Sequence, residues 1–116
     1  MANPNIFSAT SIVGDTSLTN ATTTITSMVT GESNKVKKVN SIIVSNYGTL
    51  DQTFTVDVYR GSTSYYIASN VLIPARSTLL LVGKEHSFYL LEADAIRASA
   101  SANVSVTVTC SFETLS

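Results

Sequence analysis

His86 is the only histidine of the 116 residues and Cys110 the only cysteine, so any hydroxyl–imidazole relay, any Cys/His dyad and any histidine-based metal site must use them. Nucleophilic catalysis needs a base within hydrogen-bond reach of a thiol or hydroxyl. His86 lies in the polar run Gly83-Lys84-Glu85-His86-Ser87, which reads as a loop. Cys110 falls on the apolar phase of an alternating run, where a free thiol behaves as a small hydrophobe. No catalytic residue is therefore expected, and the chain does not read as an enzyme. Zinc sites need Cys and His clustered at short spacing, which this composition cannot supply. Glu92 and Asp94 form the best carboxylate pair for a calcium ion, but an acidic turn between strands is ordinarily just solvated, and no metal is expected. Gly14, Gly31, Gly48, Gly61 and Gly83 are isolated, so there is no phosphate cradle and no nucleotide cofactor is expected.

Two further groups suggest binding instead of chemistry. Lys35, Lys37 and Lys38 are the only basic cluster, and lysines at a strand entrance usually guard an edge. Tyr65 and Tyr66 are neighbours on a predicted strand, so they point to opposite faces. An exposed tyrosine beside Arg60 could anchor a protein interface or stack on a sugar, and ordinary sheet packing accounts for the pair equally well.

Composition limits the partners. Charged residues are 13% of the chain against a norm of about 25%, net charge is −1, and Ser and Thr together exceed a quarter. Nucleic-acid binding is not expected, because phosphate backbones require clustered Lys and Arg. Near-zero net charge leaves little repulsion between copies and leans towards self-association. A chain of this length buries roughly 65% of its unfolded surface, enough for one core without staples. One cysteine allows no disulfide within the chain, which suits a reducing cytoplasm. No run approaches the roughly 18 apolar residues of a membrane span, and Met1 to Asn5 lacks the features of an export signal.

The elements that must position these residues are strands. Val104, Val106, Val108, Cys110 and Phe112 alternate with polar residues, the mark of a strand with one buried face. Phe54, Val56 and Val58 do the same, and Gly61-Ser62 suits a type II′ hairpin with Thr63 to Ile67 returning antiparallel. Between Lys35 and Asn46 the β-branched alternation slips once, as at a bulge or in a strand buried on both faces, before the turn Asn46-Tyr47-Gly48. Val71 to Ile73 and Thr78 to Val82 are strands joined through Pro74-Ala75-Arg76, and Phe88 to Leu91 is another short strand. Helix propensity over Leu90 to Ala98 competes with an alternation of Ile96, Ala98, Ala100 and Ala102, and turn followed by strand is preferred. The sum is a single all-β domain over residues 1–116, an antiparallel β-sandwich of jelly-roll type with seven to nine short strands.

Residues 1–19 are too sparse in apolar groups to order alone, and read as an N-terminal arm or an edge strand. Such a segment can add a strand to the sheet edge of a neighbouring copy, with Ile6, Phe7, Ile12 and Val13 as anchors.

Val39 to Asn46, the stretch Ile73-Pro74-Ala75-Arg76-Ser77-Thr78-Leu79 and the later Tyr89 to Ile96, followed by an alternating final strand, resemble small virion structural proteins of tailed bacteriophages, including cyanobacterial phages. Arg76 and Ala93 stand where that pattern would have a smaller residue and a glycine. The resemblance covers residues 36 to 113 and implies a β-sandwich on the capsid, neck or tail, without catalytic residues. The expected function is a multi-copy capsid decoration (cement) or neck or tail accessory subunit, assembled in the host cytoplasm. Its partners would be copies of itself and other virion proteins, with no nucleic acid and no membrane. The alternative is a receptor- or glycan-binding tip domain of a tail fibre. Ile6, Phe7, Ile12, Val13, Arg60, Tyr65 and Tyr66 are the expected interface residues.

Overall fold

The computed structural model describes residues 11–103 and 105–116. They form nine strands: β1 Ile12–Asn20, β2 Thr26–Thr30, β3 Val36–Asn46, β4 Gln52–Arg60, β5 Thr63–Ile73, β6 Ser77–Val82, β7 Phe88–Leu90, β8 Ala95–Ala100 and β9 Val106–Leu115. One sheet has the order β1-β9-β3-β6, with β7 pairing the other end of the same β3 edge, and the second has the order β2-β8-β4-β5. All pairings are antiparallel. This is the strand order of an eight-stranded jelly roll with β7 as an addition, so the expected sandwich is the observed fold.

The alternation read from the sequence decides which side of each strand is dry. Val106, Val108, Cys110 and Phe112 of β9 and Val39, Ile42 and Val44 of β3 face Phe54 and Val56 of β4 and Ile96, Ala98 and Ala100 of β8. The expected slip in β3 is a bulge, since its register against β9 shifts between Val39 and Ser41. Asn40, left over there, donates its Nδ2 to Glu113 Oε1 at 2.8 Å. Asn46 is buried but satisfied: its amide donates to the carbonyls of Leu50 (2.9 Å) and Ile73 (3.1 Å) and accepts from Gly48 N–H (3.0 Å). Of the final alternating run, Val104 lies outside the described residues.

Local details differ from expectation at two places. The hairpin turn is type I′ and not II′, because Gly61 and Ser62 both have positive φ, +59° and +61°. That geometry matches the twist of the flanking strands, and its demand on Ser62 is met by the pairing on either side. The returning strand does not stop at Ile67 but runs to Ile73, with register shifts and a positive φ at Asn70 absorbing the extra residues. Near the N-terminus, Ile12–Asn20 is an edge strand paired with β9 throughout; Met1 to Thr10, including Ile6 and Phe7, lie outside the described residues. The helix propensity of Leu90 to Ala98 yields to a turn followed by β8, as the alternation predicted.

Candidate functional site: sheet edges and an inter-sheet cleft

The residues that could have done chemistry are occupied or apart. Cys110 is fully buried, and desolvation pushes its thiol up to about 12, far above the range of a reactive thiolate. His86 closes an exposed 3₁₀ turn, Lys84–His86, beside Leu80 and Leu81. Lys37 is buried, donating to Thr30 C=O at 2.7 Å and pairing with Glu32 at 3.3 Å, with its ammonium 5.1 Å from the Phe112 ring centre. The lysine group is thus dispersed, with one member buried against Phe112.

Asp94 is held by structure. Its carboxylate accepts from Arg60 Nε (2.9 Å), Arg60 Nη2 (2.5 Å) and Leu91 N–H (2.8 Å), closing the turn before β8. Burial pushes its pKa up, but the Arg60 hydrogen bonds, the Leu91 N–H and the Arg60 charge more than offset that and leave it below the usual carboxylate range. Gly31 packs against this turn so closely that a Cβ there would sit 2.0 Å from Leu91 C=O, while its N–H donates to Asp94 C=O at 2.7 Å. Ala93 in the same turn has φ +67° and Arg76 has φ +58°, the two positions where the phage-like pattern would have a glycine and a smaller residue.

A second ion pair lies in the middle of a sheet. Asp57 and Arg97 are directly paired on the outer face of the β2-β8-β4-β5 sheet. Arg97 grips the carboxylate with Nε (3.0 Å) and Nη2 (2.7 Å), and donates to Ser64 Oγ at 2.6 Å. The guanidinium also lies 4.0 Å from the Tyr59 ring centre. Asp57 is left with 0% exposure.

The strands at the sheet edges are built the opposite way. Among the residues of β1, β2, β5, β6 and β7, Asp15 is the one charged side chain, and none is a lysine, arginine or proline. Natural edge strands are usually blunted by such residues. Here they carry exposed apolar groups: Ile12, Val13 and Leu18 on β1, Tyr65, Tyr66 and Leu72 on β5, Leu79 and Leu80 on β6, and Tyr89 on β7.

Directly paired residues of neighbouring strands share a face, so these side chains can be sorted. Tyr66 pairs with Asp57 and faces outward; Tyr65 pairs with Val58 and turns towards the other sheet. There Val58, Arg60, Tyr65 and Phe88 line an apolar cleft of about 370 Å³ between β5 and β7, bordered by Tyr89, which pairs with Lys38 on the outer face. Of the expected interface residues, Arg60 and Tyr65 therefore meet, Tyr66 is on the opposite face, and Ile12 and Val13 are exposed on β1. Sequence reasoning missed Leu18, Leu79, Leu80, Phe88 and Tyr89. The run Leu79-Leu80-Leu81 held a signal, because three consecutive apolar residues in a strand cannot all face the core.

No protein-family model matches the chain, and no curated protein matches it. Among solved structures, a chain of the Bacillus endospore appendages, described as a novel family of disulfide-linked pili, aligns with a TM-score of 0.56 over 100% of this chain and 96% of that one, at 16% identity. At that identity the likeness concerns the fold.

Proposed function

We propose that this chain is a structural subunit that acts by contact with copies of itself and with other subunits of a larger particle, and that it catalyses nothing. The observation that carries this reading is the near absence of charge from every strand at a sheet edge, in a domain that keeps its buried ion pair at the sheet centre. A protein that avoids its own kind places lysines at those edges. A standard contact of about 800 Å² per partner would occupy only a fraction of the 6354 Å² surface, so one subunit can serve several neighbours.

The setting we propose is the virion of a tailed bacteriophage, as a capsid decoration or a neck or tail accessory subunit, in line with the resemblance over residues 36 to 113. A pilus-like fibre is the second setting, favoured by the full-length structural alignment with an endospore appendage chain. Those pili are described as disulfide-linked, whereas Cys110 is buried in the core, so linkage between copies of this domain through that cysteine would require unfolding. A receptor- or glycan-binding tip is the reading from another class, and the cleft lined by Tyr65 and Phe88 is what favours it.

Sedimentation velocity across a wide concentration range, with electron microscopy of the largest species, tests the subunit reading. Concentration-dependent assembly is expected. A strict monomer that binds an oligosaccharide in the cleft would favour the tip reading instead. In a phage, particles lacking a cement protein should release DNA at lower temperature and adsorb normally, whereas loss of a tip should abolish adsorption.

A further inference from the structure

We infer that copies join head to tail, with β1 of one copy extending the β1-β9-β3-β6 sheet of the next along its β6 and β7 edge. This rests on the self-associating subunit proposed above and specifies the surface and the register.

Direction comes first. β1 runs antiparallel to β9, β9 to β3, and β3 to β6 and β7, so β1 points opposite to β6 and β7. A second copy in the same orientation, set beside β6, therefore offers its β1 as an antiparallel partner, and the sheet continues without a change of type. Length also agrees. β1 has nine residues and runs beside β9 along the same stretch of β3 whose other edge is covered by the six residues of β6 and the three of β7.

The outer-face side chains then match row by row. Following direct pairs across the sheet, Leu18 leads to Thr109, Ile43 and Leu80 on the outer face. Continued across the boundary, that row sets Leu80 against Leu18 of the next copy, two exposed leucines at 60% and 71%. A second outer row runs from Gly14 through Glu113 and Lys38 to Tyr89. It places the exposed ring of Tyr89 over the next copy's Gly14, which has nothing within 4 Å of where its Cβ would be. An aromatic ring covering a strand glycine in this way is a recognised stabilising pair. The row Asn20, Thr107, Ser45, Thr78 ends in two polar groups that can hydrogen-bond. The inner rows match less well: Asp15 leads through Phe112 and Val39 to Phe88, Ser17 through Cys110 and Ile42 to Val82, and Thr19 through Val108 and Val44 to Leu79.

Because the two contacting surfaces differ, the interface is heterologous and propagates into a ring or a filament. A two-fold pairing of β1 with β1 along its full length would instead centre on Thr16 and set Leu18 against its counterpart's Gly14, so that only a shifted pairing brings the two Leu18 side chains together.

The test is cysteine trapping in the full chain, with Cys110 silent in the core. Leu18→Cys and Leu80→Cys both replace exposed side chains. Copies of each are oxidised alone and mixed. A disulfide-linked pair that forms in the mixture and in neither sample alone is the expected result, and the double variant should give ladders of higher multiples. Linkage of Leu18→Cys to itself would overturn head-to-tail joining in favour of a two-fold dimer. Assembly of the wild type by sedimentation with no linkage in any sample would overturn the register while leaving the subunit reading intact. A wild type that stays monomeric would overturn both.

Discussion

The centre of the β2-β8-β4-β5 sheet and the edges of both sheets handle charge in opposite ways. At the centre, Asp57 is stripped of water under Arg97, Ser64 and Tyr59, and every oxygen of its carboxylate is matched by a donor. At the edges, five strands share one charged residue, Asp15, and show leucine and tyrosine to solvent. A buried ion pair stabilises little relative to an apolar replacement, but it penalises any other register, because a misplaced partner leaves a bare charge. An uncharged edge does the reverse, as it sets no barrier to pairing with another strand. The charges thus serve the fold within one copy, and their absence marks the edges at which we propose that copies meet.

Four substitutions probe that contrast. Arg97→Ala leaves Asp57 buried without a counter-charge and should cost about 3–5 kcal/mol of stability, read by thermal or urea unfolding. A small loss would mean that Asp57 finds water or another donor.

Arg60→Ala should cost less, about 1–3 kcal/mol, because the guanidinium is half exposed and the Leu91 N–H still holds Asp94. Its pH dependence has a definite sign. A carboxylate held below its unfolded value stabilises the fold above that value, about 3.9, and the stabilisation is lost as pH falls through the folded value. The difference between wild type and variant should therefore be full near neutrality and shrink below about pH 4. A difference that persists unchanged at pH 2 would assign the loss to packing of the Arg60 stem.

Ala93→Gly should stabilise by up to about 1 kcal/mol, since a left-handed φ is costly for alanine and open to glycine. Destabilisation would show that the alanine methyl makes contacts worth more than the strain.

Leu80→Lys is the smallest in stability, within about 0.5 kcal/mol because the side chain is exposed, and yet it should abolish assembly. Sedimentation and unfolding on the same sample check both halves. An edge lysine that leaves assembly intact would move the contact away from β6.

Strand-rich architecture was legible because alternation with period two is a local property: Val106, Val108, Cys110 and Phe112 announce a dry face with no knowledge of what covers it. The bulge in β3, the turn at Asn46 and the connection through Pro74 were equally local, each written in a few adjacent residues. The burial of Cys110 followed from its phase in β9.

The interface was only partly legible, and for a physical reason. Tyr65 and Tyr66 could be assigned opposite faces, but which of them meets Phe88 depends on the packing of one sheet on the other. The ion pairs Asp57–Arg97 and Arg60–Asp94 join residues 40 and 34 positions apart, so no window of sequence contains them. Whether Ile12–Asn20 is an arm or a strand was open, because its ordering comes from a backbone ladder to β9 at the far end of the chain and not from apolar content of its own. Above all, a strand's own residues do not say whether it lies at the centre of a sheet or at its edge. Period, turn chemistry and inward phase belong to the amino-acid sequence; strand order, and with it the meaning of an uncharged strand, belongs to the tertiary structure, because only long-range pairing decides which backbone groups are left without a neighbour.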